Sequence, residues 1–336
     1  MNRSTLLAAI ALSASLAAHA DTVLTVSLFM PQGHAIQRSV HQWCEDVAKG
    51  TDKRVRCNLL PKPVAAPAAT FDAVRDGLAD VSVGIHGYTP GRFTLTSIAE
   101  FPFLGDSAEA TSVAYQRVFE RHLAKLNEHK GVRVLAVFTH GPGDIYLAKR
   151  AINSSADLEG LKFRVGGGMV NEVGKAIGAN VLLKPVTESY ELLSSGVVDG
   201  TFLPAEAVIA HRLESFIKYR TKIPGGLYNT SFAMVMNEDA WNKIPASDQA
   251  TIAKLSGEPL ARLLGREWDA ADRHGTEAMA ARKVVATPSP KAFVDHIKAS
   301  TQPLEQKWID AAKAKGLADP AAVLKEFRAE IAKVQP

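Results

Sequence analysis

The run Phe163-Arg164-Val165-Gly166-Gly167-Gly168 joins an apolar β-prone stretch to a glycine loop and to a helical pattern that opens at Met169. Such a loop gathers unpaired backbone N–H groups and the positive end of a helix dipole at one point, which suits an anion. Arg164 adds a planar fork that can grip a carboxylate through two parallel hydrogen bonds; spacing alone equally allows an ion pair with a nearby surface acid. The loop is not a nucleotide-phosphate loop. Five residues separate Gly168 from Gly174-Lys175 where four are required, and Ala176 stands where magnesium needs Ser or Thr. Asn171 likewise takes the place of the last glycine in a dinucleotide fingerprint.

No HExxH, GxSxG or CxxC pattern occurs, and the ten histidines have no metal-ligand spacing, so neither metal nor cofactor is expected. A catalytic triad assembled from distant residues stays open. His86 and His140 fall on predicted loops and can hydrogen-bond a ligand, or be ordinary solvated or satisfied rings. Phe29, Tyr88, Phe202 and Tyr228 can stack on or wall in a ligand, with core packing the alternative for each.

A duplicated unit supplies the scaffold. Residues 69–83 read ATFDAVRDGLADVSV and residues 188–202 read ESYELLSSGVVDGTF; Phe71, Gly77 and Asp80 map to Tyr190, Gly196 and Asp199 by one offset of 119. Each copy reads as a short helix ending at Gly and an apolar β-rich run after Asp. The surrounding order recurs as well: strands 24–28, 54–60 and 81–85 with helices 34–47 and 70–75, then strands 161–165, 180–183 and 197–203 with helices 169–177 and 187–193. Two α/β lobes with mostly parallel sheets follow, and ligands of such sheets bind beyond the carboxyl ends of the strands. Loops 29–33, 86–90, 140–144, 166–168 and 203–206 are therefore expected to line a cleft between lobes. A strand at 232–236 follows, then one long helical pattern over 247–281 that crosses both lobes, and final helices over 290–334 that pack on the second lobe. The expected division is residues 21–145 with about 232–275 in lobe 1, and 146–231 with about 276–336 in lobe 2.

The 336 residues exceed one ordinary domain, and 46% hydrophobic with 22% charged residues fits a packed chain. A net charge of +4 with dispersed basic residues argues against nucleic acid as a partner. Arg3, an apolar stretch over 6–18 and Ala18-His19-Ala20 read as a signal peptide cleaved before Asp21, which implies export. In an oxidising compartment the only two cysteines, Cys44 and Cys57, can form a disulfide; two buried free thiols are the alternative.

Several motifs resemble one family. Residues 157–164 (DLEGLKFR), Ile177-Gly178-Ala179, Glu188-Ser189-Tyr190 and residues 196–200 (GVVDG) are similar to the signature run of solute-binding proteins of tripartite ATP-independent periplasmic (TRAP) transporters, the DctP family. So are Val74-Arg75-Asp76-Gly77 with Asp80, Tyr88-Thr89-Pro90-Gly91, residues 100–104 (EFPFL) and residues 236–241. The resemblance spans nearly the whole mature chain. It implies a class II-like two-lobed periplasmic-binding-protein fold that closes on an organic acid, Arg164 in the carboxylate-binding position, delivery to a small and a large permease subunit, and no covalent chemistry. Many members that bind extended acids carry a second Arg just after the equivalent of Gly141, where this chain has Pro142-Gly143-Asp144. A monocarboxylate with an apolar or aromatic body is the resulting expectation. Two other classes share the same cleft: an exported enzyme acting on a small organic acid, and a sensory protein presenting ligand to a membrane kinase.

Overall fold

The computed structural model describes residues 21–334, so the expected signal peptide at residues 1–20 lies outside the described residues. Apolar, β-branched runs form β1 (Thr22–Ser27), β2 (Val55–Leu59) and β3 (Val81–Ile85), which pair in parallel around β1, with α1 (Ala35–Gly50) and α2 (Thr70–Arg75) as crossovers. After α3 (Ala108–Val118) and β4 (Val132–Thr139), residues 140–143 carry the chain into a second sheet at β5 (Asp144–Leu147). There β6 (Lys162–Val165), α4 (Met169–Ala176), β7 (Asn180–Leu183), α5 (Ser189–Ser194) and β8 (Gly200–Leu203) repeat the opening order. Past α6 (Ala205–Ala210) and β9 (Tyr219–Lys222) the chain returns to the first sheet as β10 (Ser231–Asn237).

The sheets run β2-β1-β3-β10-β4 and, with β11 (Val285–Pro288), β11-β9-β5-β8-β6-β7. Both are mixed, as expected for a two-lobed α/β chain. β10 is antiparallel to β3 and β4, and β5 is antiparallel to β8 and β9; the other pairs are parallel. β3 and β10 are buried along their whole length, whereas the edge strands β7 and β11 are short and largely solvent-facing.

The sequence repeat is a structural repeat. Gly77 and Gly196 adopt φ of +74° and +71°, which only glycine enters without strain, and each ends its helix there. Asp80 then bonds β1 twice at Thr25, its N–H donating to the carbonyl (2.9 Å) and its carboxylate accepting from the N–H (2.7 Å). Asp199 does the same to Lys162 of β6, at 2.8 and 3.0 Å. The Asp of each copy therefore fixes its strand against the neighbouring one.

Cys44 and Cys57 are bridged, tying α1 to β2 with Cα atoms 5.7 Å apart. Closing that short loop contributes about 3 kcal/mol by chain-entropy reasoning.

Two expectations need correction. The pattern over 247–281 is two helices, α8 (Ala246–Leu255) after α7 (Glu238–Asn242), then α9 (Glu258–Ala281). The break falls at Ser256, which is extended, and at Gly257, whose N–H donates to Leu135 O at 2.7 Å instead of continuing the helix. Pro259 starts α9 because the first turn needs no N–H from it. α9 alone makes the crossing, packing on α1 and α3 at one end and on α6 at the other. The final helices also do not sit on the second lobe only. α10 (Lys291–Ala314) touches α4 and the turn Leu95–Glu100, while α11 (Pro320–Val334) lies on α3. Ion pairs of Arg117 and Arg121 with Glu330 and Glu326, and the edge contact of Tyr115 with Phe327, draw α11 there.

Candidate ligand-binding site

The chain leaving β1, β3, β6 and β8 converges where the sheets face each other. Phe29 and Met30, Tyr88, Gly166 and Gly167, and Pro204 line a cavity there with His140 and Tyr228 from the crossings, Phe232 from β10 and Trp268 from α9. It encloses about 540 Å³ of space, its open mouth included. Its position beyond strand carboxyl ends follows from the parallel βα units.

Arg164, on β6, is 2% exposed and has no ion-pair partner among the described residues. Its Nε and Nη2 both donate to the carbonyl of Lys184, at 2.9 and 2.7 Å. That occupies one edge of the guanidinium and, with the contact to Tyr88, leaves Nη1 without a hydrogen-bond partner among the described residues. Nη2 also lies 3.4 Å from Tyr88 Oη, which accepts the Val186 N–H at 2.9 Å. Because the phenol accepts from both, its own proton is left to donate. A cation edge and a hydroxyl donor thus converge on one point, the arrangement that a carboxylate needs.

The remaining charge in the cavity is small. His140 and His211 are lowered to about 4 and His34 to about 3, in each case chiefly by burial; Arg164 also depresses His211, and His211 depresses His34. All three imidazoles are neutral at pH 7, so the lining carries one positive charge, on Arg164. Behind it, burial and Asp272 push the Glu206 carboxyl up to about 8; this carboxyl faces His34 Nε2 at 3.4 Å. No second guanidinium reaches in. Arg220 is held by Asp144, the residue that follows Pro142-Gly143, with Nε and Nη2 each 2.7 Å from the carboxylate.

Residues 26–311 match the family of bacterial extracellular solute-binding proteins, family 7, called DctP. The chain belongs to that family. This DctP chain is similar to a TRAP periplasmic solute-binding protein from Bordetella bronchiseptica with bound (R)-mandelate and (S)-mandelate, at 44% identity and TM-score 0.91 over 94% of this chain and 100% of that one. It is similar to a marine metagenome TRAP solute-binding protein specific for aromatic acid ligands, in complex with metahydroxyphenylacetate, at 30% identity and TM-score 0.87 over 94% and 100% of the two chains. It is also 30% identical over 298 residues, 88% of each chain, to the outer membrane transporter protein TsaT of Comamonas testosteroni. The family is one of substrate-binding receptors.

Of the residues singled out by sequence, this DctP chain brings Arg164, Gly167, Phe29, Tyr88, His140 and Tyr228 together around the cavity. The others sit elsewhere. His86 is 2% exposed and stacked on Phe71 at 5.5 Å, its Nε2 bonded to His129 Nε2 at 2.7 Å and its Nδ1 to Ser231 Oγ at 3.0 Å. Phe202 packs on Phe163, ring centroids 5.2 Å apart, and reaches the site only by the carbonyl that accepts from Tyr228 Oη at 3.0 Å. Gly168 does not line the cavity, and the α4 N-terminus next to it is already occupied by an anion of the protein itself. The buried Glu100 carboxylate accepts the Met169 N–H at 2.8 Å and the Ser231 hydroxyl at 2.6 Å. The glycine loop serves close approach instead: a Cβ on Gly87 or on Gly167 would overlap the other's backbone. Sequence reasoning missed Trp268, Phe232, His34 and His211. His34 begins α1, its Nδ1 accepting from Ile36 N–H at 3.1 Å, but histidine is not a usual N-cap residue.

Proposed function

We propose that this protein is an exported, periplasmic receptor that captures one organic monocarboxylate, with an aromatic or apolar body, by closing its two lobes on it. It delivers the acid unchanged to the small and large membrane subunits of a TRAP permease and catalyses no reaction. The observation that carries this reading is Arg164: a buried guanidinium without an acidic partner among the described residues, in a cavity otherwise neutral and lined by Phe29, Tyr228, Phe232 and Trp268. A buried cation needs a counter-charge, and one cation matches one carboxylate. The mandelate and metahydroxyphenylacetate bound by its relatives are acids of this kind. The ion pair of Asp144 with Arg220 removes the second cation that a dicarboxylate would require.

Closure follows from which groups meet across the cavity. Tyr88, on the first sheet's side, bonds Arg164 and Val186 on the second. An acid held by Arg164 in the open form gains the Tyr88 proton and the aromatic wall on closing, which shifts the equilibrium toward the closed form.

Thermal unfolding of the mature protein with mandelate, benzoate and succinate, alongside Arg164→Ala, tests the assignment. An aryl monoacid at 100 times its dissociation constant stabilises the wild type by about 2.7 kcal/mol. In Arg164→Ala its affinity falls at least about a hundredfold, roughly 3 kcal/mol, because a desolvated carboxylate loses its charged partner. Unchanged affinity in the variant, or succinate binding as tightly as the aryl acids, overturns the assignment; consumption of the acid on long incubation identifies an enzyme instead.

A further inference from the structure

We infer that the cavity reads a hydroxyl group on its acid, with His140 and Trp268 as the two residues that recognise it. The inference deepens the aryl-acid reading above and rests on it. Among the described residues, ten buried side-chain polar atoms lack a hydrogen-bond partner, and only two belong to residues lining the cavity: His140 Nε2 and Trp268 Nε1. The other polar groups are accounted for. Arg164 and Tyr88 face the carboxylate, His34 is engaged by Ile36 and Glu206, Tyr228 donates to Phe202, and the partly buried His211 and Thr230 have no buried unpaired polar atom.

The two orphan atoms have opposite polarity. His140 Nδ1 faces the Gly141 carbonyl, which can only accept, so Nδ1 carries the proton of the neutral ring and Nε2 is left as a bare acceptor. An indole Nε1 only donates. His140 and Trp268 are 4% and 3% exposed, so neither atom is satisfied by bulk water, and their ring centroids lie 5.9 Å apart. The two rings are near enough neighbours for one bound group to lie against both. A hydroxyl donates once and accepts, so it matches both atoms; a methyl or hydrogen in its place leaves both unpaired. Tyr228 packs edge-on against His140, ring centroids 5.2 Å apart.

The test compares matched acids, mandelate with phenylacetate and 3-hydroxybenzoate with benzoate, by calorimetric titration of wild type, His140→Phe, His140→Gln and Trp268→Phe. In the wild type at least one hydroxylated acid binds about tenfold or more tighter than its partner, as two recovered hydrogen bonds imply. That ratio falls to within about threefold in His140→Phe and in Trp268→Phe, and partly returns in His140→Gln, whose amide oxygen restores an acceptor. A wild-type ratio near one for both pairs overturns the inference and leaves the receptor reading intact. So does a ratio unchanged in His140→Phe and Trp268→Phe. A wild type that binds none of the four acids overturns both.

Discussion

Arg164 is held through Nε and Nη2 and free at Nη1, and that asymmetry makes it a directed cation. With Nε and Nη2 fixed on the Lys184 carbonyl, the fork cannot rotate to meet a solvent anion; it waits at one angle beside Tyr88. Tyr88→Phe removes the hydroxyl that orders this corner and leaves the Val186 N–H without its acceptor. Affinity for an aryl acid then falls at least about tenfold, measured by calorimetric titration, since a hydrogen bond to a charged group contributes roughly 1.5–3 kcal/mol. Unchanged affinity would mean that the phenol proton never reaches the carboxylate. Glu206 allows a test by pH. Its folded pKa is raised from 4.5 to about 8, so its neutral form is what the fold favours, and the stability this gives is lost as pH climbs from the unfolded value through 8. Glu206→Gln, neutral at every pH, should match wild type near pH 4, below the unfolded pKa, and exceed it progressively as pH rises, by about 5 kcal/mol at pH 9, seen as a higher midpoint of thermal unfolding. Equal midpoints at pH 9 would refute the buried, protonated carboxyl. The place of Arg164 between a β run and three glycines was legible, but spacing alone equally allowed a surface ion pair, and its carboxylate role rested on the family resemblance. His86 misled because a loop position says nothing of side-chain direction: it turns inward to Phe71 and His129. Trp268 was illegible because its place among Leu260, Leu264 and Gly265 on the buried stripe of α9 looks like any core position.

The α4 N-terminus shows how elements, and not only residues, meet across the cleft. Its Met169 N–H is capped by Glu100, which Ser231 anchors to β10 through its hydroxyl at 2.6 Å and its N–H at 3.1 Å. One carboxylate thus joins the first sheet to a helix of the second, favoured by the positive end of the helix dipole and opposed by the desolvation that raises its pKa. Its hydroxyl partner is set by the chain behind it: His129 donates to His86, which donates to Ser231, whose proton goes to Glu100. Glu100→Gln keeps the shape but turns an amide N–H toward one of these donors. Ligand affinity should drop about tenfold without Glu100 contacting the ligand, and the deficit should appear as a faster off-rate because the closed form is what loses its cap. A wild-type off-rate in this variant would mean that the cap plays no part in closure. The paired βα units were readable because helix-ending Gly and strand-fixing Asp are local requirements that leave fixed letters at fixed spacing. β9, Tyr-Arg-Thr-Lys, carries no such letters; it is a strand because β5 and β11 pair with it.

Across the whole molecule the two sheets are joined by residues 140–143, by the segment between β9 and β10, and by α9, three connections that a hinge motion can use without breaking either sheet. The contacts between lobes at the cavity are few: Tyr88 with Arg164 and Val186, His34 with Glu206, Glu100 with Met169, and the backbone approach of Gly87 to Gly167. Each hydrogen bond of this kind has a net value of about 1 kcal/mol because water replaces it in the open form. Burying Arg164 without an anion costs several kcal/mol, enough to cancel them. On the proposed binding mode closure is therefore nearly balanced until an acid neutralises the guanidinium, and the acid moves the population by its preference for the closed form alone. Small-angle scattering of ligand-free protein should give a radius of gyration somewhat above the roughly 20 Å of a compact chain this long, falling by roughly 1 Å on addition of a saturating aryl acid. In Arg164→Ala the burial penalty is absent, so the ligand-free protein should already scatter as the smaller species and the acid should change it little. A ligand-free wild type as compact as the bound one would show that the contacts across the cavity outweigh the buried charge, and that the acid enters a cleft already shut.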